Sequence, residues 1–200
     1  MKKIVKIMIL LTAVLTITGC SGTEAAEQGD GISIGKDGKI TGTLVSVLDQ
    51  SYYNSEELKA MIETEIADTN AQQGADAVVL DSYNCDSSGN VKVKLVYADS
   101  NAYEAFNGTP FFSGTSVKAN ELYGLQGDFL SVQDGKITTE DAMVADDSKI
   151  VIVTQNVNVS VPGKIVAITD NVEVTGKKSA SVNIQNEDAS EEELAYIVYK

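Results

Sequence analysis

The last quarter of the chain constrains the fold most, because from Ile150 to Ile184 it is built of short β-branched runs. Ile150 to Thr154, Val157 to Val161, Lys164 to Thr169, Val172 to Val174 and Ala180 to Ile184 are divided by Pro162-Gly163, Asp170-Asn171 and Gly176-Lys177. Pro then Gly supplies the backbone angles of a type II turn, and Asp-Asn tolerates a tight reversal. Runs of Val, Ile and Thr bounded by such residues are strands, and five in succession predict a meander. Their spacing is too irregular for a solenoid or a propeller. Leu194 to Tyr199 adds a final strand, whose apolar content predicts a return into the sheet.

Upstream, Ile40 to Leu48 forms a first strand that ends at Asp49-Gln50-Ser51. Asn54 then precedes Glu57 by three residues, a capping-box spacing, and Leu58, Met61, Ile62 and Ile66 recur at helical intervals. The spacing predicts a helix from about residue 55 to 72 that stops at Gly74. Ala77 to Leu80 and Val91 to Tyr97 flank a polar loop at 81–90; Val91, Val93, Leu95 and Tyr97 alternate with polar or outward positions, so one face of that strand is buried. Short helices are expected at 101–106 and 116–123, with an acidic, irregular stretch at 134–147. The expected class is α+β: one main amphipathic helix packed on an antiparallel sheet, with a β-rich meander in the C-terminal half.

Residues 39–200 are long enough for one domain with a sizeable core. Residues 20–38 contain Ile32 and Ile34 as their only large apolar side chains and are expected to be a flexible tether.

Charge removes whole classes of function. The chain has 15 Lys, no Arg and 29 acids, a formal net charge of −14. Phosphate polymers need Lys and Arg to neutralise them, so nucleic acid is not expected as a partner. No histidine is present, which excludes nucleophile-histidine-acid triads and imidazole zinc sites. A glycosidase with two carboxylates needs no histidine, yet Glu63 and Glu65 fall on different sides of the helix and Glu191, Glu192 and Glu193 form a charge run. Thr115-Ser116-Val117-Lys118 lacks the Ser-x-x-Lys spacing of serine-lysine acyltransferases. In the 81–90 loop, Asp81, Asn84, Asp86, Ser88 and Asn90 offer oxygens to calcium, but the glycine and bidentate glutamate of an EF-hand are missing. No cofactor is expected, with weak calcium binding the lesser alternative. The aromatic pairs Tyr52-Tyr53 and Phe111-Phe112 are the candidates for contact with a partner; adjacent residues of an extended segment face opposite ways, so at least one of each pair belongs to the core.

The N-terminal segment supplies an address. Lys2, Lys3 and Lys6 precede an uncharged run from Ile7 to Ile17, too short for the about 20 residues that a membrane span requires. It has the form of an export signal. The run Ile17-Thr18-Gly19-Cys20 resembles the lipobox of bacterial lipoproteins. That resemblance implies diacylglycerol on the Cys20 thiol, cleavage between Gly19 and Cys20, and a fatty acyl group such as palmitate on the new amino terminus. Two or more chains anchor a protein stably, at about 0.8 kcal/mol per buried methylene. Residues 1–19 would then be lost with three lysines and no acid, taking the formal charge from −14 to −17. Cys85 would be the remaining thiol, so no internal disulfide could form. The expected location is the extracytoplasmic face of the cell membrane, attached through lipid alone.

Beyond the lipobox, Tyr52-Tyr53 leading into Glu57-Leu58-Lys59 and Ile62-Glu63, then Phe106-Asn107, Phe111-Phe112-Ser113-Gly114-Thr115, Val161-Pro162-Gly163-Lys164-Ile165 and Tyr196-Ile197-Val198-Tyr199 resemble a functionally uncharacterised family of lipoproteins from anaerobic gut bacteria. The resemblance implies an address and a fold and carries over no catalytic residue. The expectation is a non-catalytic envelope protein that binds a protein or glycan partner. A carboxylate-based envelope hydrolase is one alternative. A small solute-binding lipoprotein is the other, although the chain is short for two lobes around a cleft.

Overall fold

The computed structural model describes residues 30–50, 52–125, 128–185 and 193–200; Gly19, Cys20 and the leader lie outside them. In chain order the elements are β1 (Gly31–Ile34), β2 (Ile40–Val47), α1 (Ser55–Gln73), β3 (Val78–Cys85), β4 (Asn90–Tyr97), α2 (Ser100–Asn107), β5 (Phe111–Thr115) and α3 (Ser116–Tyr123). Then follow β6 (Leu130–Gln133), β7 (Lys136–Asp141), β8 (Lys149–Val153), β9 (Asn158–Ser160), β10 (Ile165–Ile168), β11 (Val172–Gly176), β12 (Ser179–Val182) and β13 (Ala195–Tyr199). The class is α+β with a β-rich C-terminal half. No helix among the described residues is long and apolar enough to cross a membrane.

The strands form two sheets. One has the order β11-β12-β9-β1-β2-β4-β3, the other β5-β8-β13-β10-β6-β7. Every pairing is antiparallel except β1 with β9. The C-terminal strands do not lie side by side in chain order: β8, β10 and β13 enter the six-stranded sheet, whereas β9, β11 and β12 enter the seven-stranded one. Of these, β11 and β12 alone form a consecutive hairpin. Alternation between layers buries both sheets against each other, which a single flat meander could not do.

Burial explains the difference in texture between strands. The main core lies between the sheets and includes Ile32, Ile40, Val91, Val93, Val151, Val153, Ile165 and Ile197. A second core covers the other side of the six-stranded sheet, where Phe112, Ile150, Ile152, Tyr196 and Val198 meet Ala119 of α3 and Phe129. Strands β8 and β13 are therefore buried on both faces, and their apolar sequences are nearly unbroken. Strand β4 buries one face and alternates.

The extent of the tether is corrected by β1. Ile32 and Ile34, expected in flexible chain, are 2% and 5% exposed and sit in the middle of the seven-stranded sheet. A turn at Gly35–Lys39, with Gly38 at φ +86°, joins β1 to β2. A second correction is the 134–147 stretch, much of which is ordered: β6 and β7 are joined by Asp134 (φ +52°) and Gly135 (φ +81°), the positive φ pair of a tight hairpin turn.

Helix α1 begins and ends as its caps dictate. Asn54 Oδ1 accepts from the N–H groups of Glu56 (2.8 Å) and Glu57 (3.3 Å), and the Gly74 N–H donates to Asn70 O. Leu58, Ile62 and Ile66 pack against the main core, but Met61 is half exposed, so the apolar stripe is narrower than its spacing predicts. The helix lies beside the edge strand β3 and shields part of it. Asn70 Nδ2 donates to Val78 O at 2.9 Å, and Val78 N–H donates to Asn70 Oδ1 at 2.7 Å. Asn70→Ala would leave both main-chain groups of a buried residue unpaired, at about 1–3 kcal/mol for each lost partner. A lower urea midpoint with an unchanged slope is the expected result.

An aromatic cluster ties the layers together through α2. Tyr103 stacks edge-on against Tyr97 of β4 at 4.9 Å and lies 4.4 Å from Phe111 of β5. Burial pushes the Tyr103 hydroxyl up to about 12, partly offset by the hydrogen bond it accepts from Gln155, and burial raises Tyr97 as well. Both folded values exceed the unfolded value of about 10, so the folded state retains protons that the unfolded state releases. The stability that these two hydroxyls contribute is therefore fully present below pH 10 and is lost as pH rises through 10 towards 12. Tyrosinate absorbance should appear together with loss of circular dichroism over that window, and Tyr103→Phe should move the onset to higher pH.

Candidate functional site

The outer face of the seven-stranded sheet is an open surface of the fold. In each of its strands alternate residues point away from the core, and the register aligns them in rows. Ser179, Ser160, Ser33, Thr41, Val96 and Val79 lie abreast across six strands. The next row is Glu173, Ser181, Asn158, Gly31, Thr43, Lys94 and Ser82. A third brings Val45, Lys92 and Asn84 together. Gly31 is buried and has no side chain; the other residues of these rows are half-buried or exposed. Small hydroxyls and amides recur about 4.8 Å apart across strands and about 6.8 Å along them. Glu173 is the only acid in the three rows, on a chain with 29 acids.

The pattern of these rows was half present in the sequence. The Val and Lys alternation of β4 marks one wet face. That Ser33, Ser160 and Ser179 share a row depends on β9 lying beside β1, 125 or more residues away in the chain, which no local signal announces.

The aromatic candidates separate. Tyr52 and Tyr53 are 74% and 50% exposed, their rings 4.9 Å apart and edge to face. Phe111 and Phe112 are both buried, which corrects their candidacy for a partner surface: β5 points Phe111 into the main core and Phe112 into the second one, where it meets Tyr123. Neither is available to a partner.

The 81–90 loop contracts to a turn. Strand β3 continues to Cys85, with a bulge at Asp81, and four residues connect it to β4. Asp86 Oδ1 accepts from the N–H groups of Ser88 (2.8 Å) and Asn90 (3.0 Å), and its Oδ2 accepts from Asn90 Nδ2 (2.8 Å). These bonds, the Asn90 side chain first, hold the Asp86 carboxyl below its ordinary value. Its oxygens close the hairpin instead of facing a cation. Among the described residues no three His, Cys, Asp or Glu side chains group closely enough to hold a metal ion.

Described residues also line two open clefts. Ser55, Glu56, Lys59, Ala60, Glu63, Tyr83 and Cys85 line the first, where Tyr83 OH donates to Ser55 O at 2.7 Å and Lys59 pairs with Glu63 at 3.5 Å. The Cys85 thiol is exposed and donates to Asp86 O. Asp128, Asp170 and Glu193 line the second cleft with Thr169, Asn171 and Tyr196. Asn171 is a clamp there: its Nδ2 donates to Glu193 Oε1 (2.9 Å) and Leu194 O (3.2 Å), and its Oδ1 accepts from Thr169 Oγ1 (2.7 Å). Thr169 Oγ1 in turn accepts from the Tyr196 N–H, fixing the entry to β13. Ser116, a candidate hydroxyl beside Lys118, is buried, and its Oγ bonds Ala145 O at 2.8 Å. It holds the 145–148 segment to α3 and faces no cleft.

The described fold is thus an α+β body whose polar groups mostly serve turns, caps and clamps, with one wide polar face left over. Comparisons with protein-family models, with curated proteins and with solved structures give no match.

Proposed function

We propose that the chain is a non-catalytic envelope lipoprotein, anchored through Cys20 on the extracytoplasmic side of the membrane, that presents the outer face of its seven-stranded sheet to a glycan or protein partner. The observation that carries this reading is the composition of that face. A surface of closely spaced Ser, Thr and Asn with little acid suits an extended, uncharged, hydroxyl-rich polymer, which needs many weak hydrogen bonds and no charge neutralisation. The rest of the molecule is strongly acidic and repels anionic polymers and like-charged surfaces. The lipobox of residues 17–20 supports the address, and the resemblance to lipobox lipoproteins of gut anaerobes agrees with it. The Asn171 clamp on Glu193 argues against the second cleft as a hydrolytic centre, since it uses that carboxylate to order the chain.

The test is a panel of envelope glycans and cell-wall fragments, with binding and hydrolysis both measured. Thr43→Arg and Ser160→Arg, on the open face, should each weaken binding by about tenfold or more, an amount that the loss of a few cooperating hydrogen bonds explains. Their melting temperatures should stay near that of the parent chain. Binding that survives both substitutions would assign recognition to another surface, and release of sugar products would replace this reading with the hydrolase.

A further inference from the structure

The strand directions sort the exposed residues of the seven-stranded sheet between its two ends. Strand β1 is antiparallel to β2 with Gly31 opposite Thr43, and Asp30 Oδ1 accepts from the Val45 N–H at 2.6 Å. Asp30 therefore lies at the end where β2 finishes. There the chain continues through Val47 and Leu48, whose N–H donates to Gly89 O, into the segment that carries Tyr52 and Tyr53. Val47 and Tyr53 are half exposed and Tyr52 more so. The opposite end of the same strands carries the Gly35–Lys39 turn, with Lys36, Asp37 and Lys39 exposed.

Cys20 is ten positions before Asp30, which limits its distance from that end to about 35 Å at full extension. A body of this size is about 40 Å across. A leash shorter than the body disfavours a pose in which the opposite end alone rests on the bilayer, and so biases the Tyr52–Tyr53 end towards it. Tyrosine combines an apolar ring with a hydroxyl and settles at the depth of lipid headgroups. A short leash also raises the local concentration of the two surfaces to the millimolar range, so a weak contact suffices.

We infer that Tyr52 and Tyr53, with Val47, form a membrane-contact patch that seats the body on the headgroup region with its strands directed away from the bilayer. The inference rests on the lipid-anchor reading of Cys20. In this pose the open sheet face stands clear of the membrane and is accessible from the side. Asp49, Glu56 and Asp86 lie at the same end, so the contact favours uncharged lipid and weakens as anionic lipid is added.

Tryptophan is absent from the chain, which allows a direct test on the full lipidated protein in phosphatidylcholine vesicles with brominated acyl chains. Tyr52→Trp and Tyr53→Trp each introduce a single indole at the patch, and Lys36→Trp places one at the far end. Bromine quenching at position 52 or 53 should be about threefold stronger than at position 36, as expected for a side chain at the interface. Equal or absent quenching in protein that floats with the vesicles would overturn the patch alone. So would an emission at 52 that ignores lipid and responds to a glycan or protein partner. Mass spectrometry of the same sample separates the two levels: an unmodified Cys20 with no flotation defeats the anchor and the patch together.

Discussion

A chain that begins at Lys39 should fail to fold, whereas one that begins at Gly29 should unfold cooperatively like the full chain. The longer fragment retains β1; the shorter one loses it. Ile32 and Ile34, buried in the main core, together contribute about 3–6 kcal/mol by removal of apolar surface from water. That is a large share of the about 5–15 kcal/mol that stabilises a typical domain. The loss does not stop at the side chains. Strand β1 pairs with β2 on one side and with β9 on the other, so without it the sheet divides into two parts that share no hydrogen bond. Circular dichroism and urea unfolding of the two fragments distinguish the outcomes. A stable, cooperatively unfolding fragment 39–200 would mean that the body closes without its central strand.

Cys20→Ser should release the protein from the membrane. The thiol is the acceptor for diacylglycerol under the proposed address, and serine offers no equivalent nucleophile to that transfer. With the two-chain anchor gone, an acidic body retains only the weak contact proposed for its Tyr52–Tyr53 end, and no basic cluster replaces the lipid. Fractionation of cells that produce the variant should move the protein from the membrane pellet to soluble or uncleaved material. Retention of fully processed Cys20→Ser protein in the membrane would show that something other than lipid holds it there.

Much of the local structure was legible in the sequence, for reasons that lie within a few residues. Asn54 and Gly74 set the ends of α1 because capping satisfies main-chain groups locally. The alternation of β4 marked its single buried face, and the apolar runs of β8 and β13 marked them as strands. Two hairpins escaped notice although Asp37-Gly38 and Asp134-Gly135 carried the turn chemistry. In each case the strand on the N-terminal side, β1 or β6, is only four residues long, so its composition averages out as loop. The polar residues from Asp81 to Asn90 concealed the extension of β3 for a related reason: Tyr83 faces inward and its neighbours point to water, which resembles loop composition when counted by type.

The candidate site was less legible. Exposure of Tyr52 and burial of Phe111 and Phe112 could not be told apart by residue type, because an aromatic pair has the same sequence whether its strand faces water or lies between two cores. The open sheet face was assembled from segments at residues 31–47, 79–96 and 158–181, and only their pairing made it a surface.

By itself the sequence determined the charge, the exclusion of histidine chemistry, the three helices and the longer apolar strands, and the buried face of an alternating strand such as β4. Those properties follow from side-chain ionisation, local hydrogen bonding and the two-residue period of an extended chain. The tertiary structure alone decided the order of the strands, the division of the C-terminal half between two sheets, and the row that joins Ser33 to Ser160 and Ser179. A two-residue period specifies the face of a strand and says nothing of its neighbour. The neighbour is selected by burial over the whole chain, where Ile32 must find Val159 across more than a hundred residues.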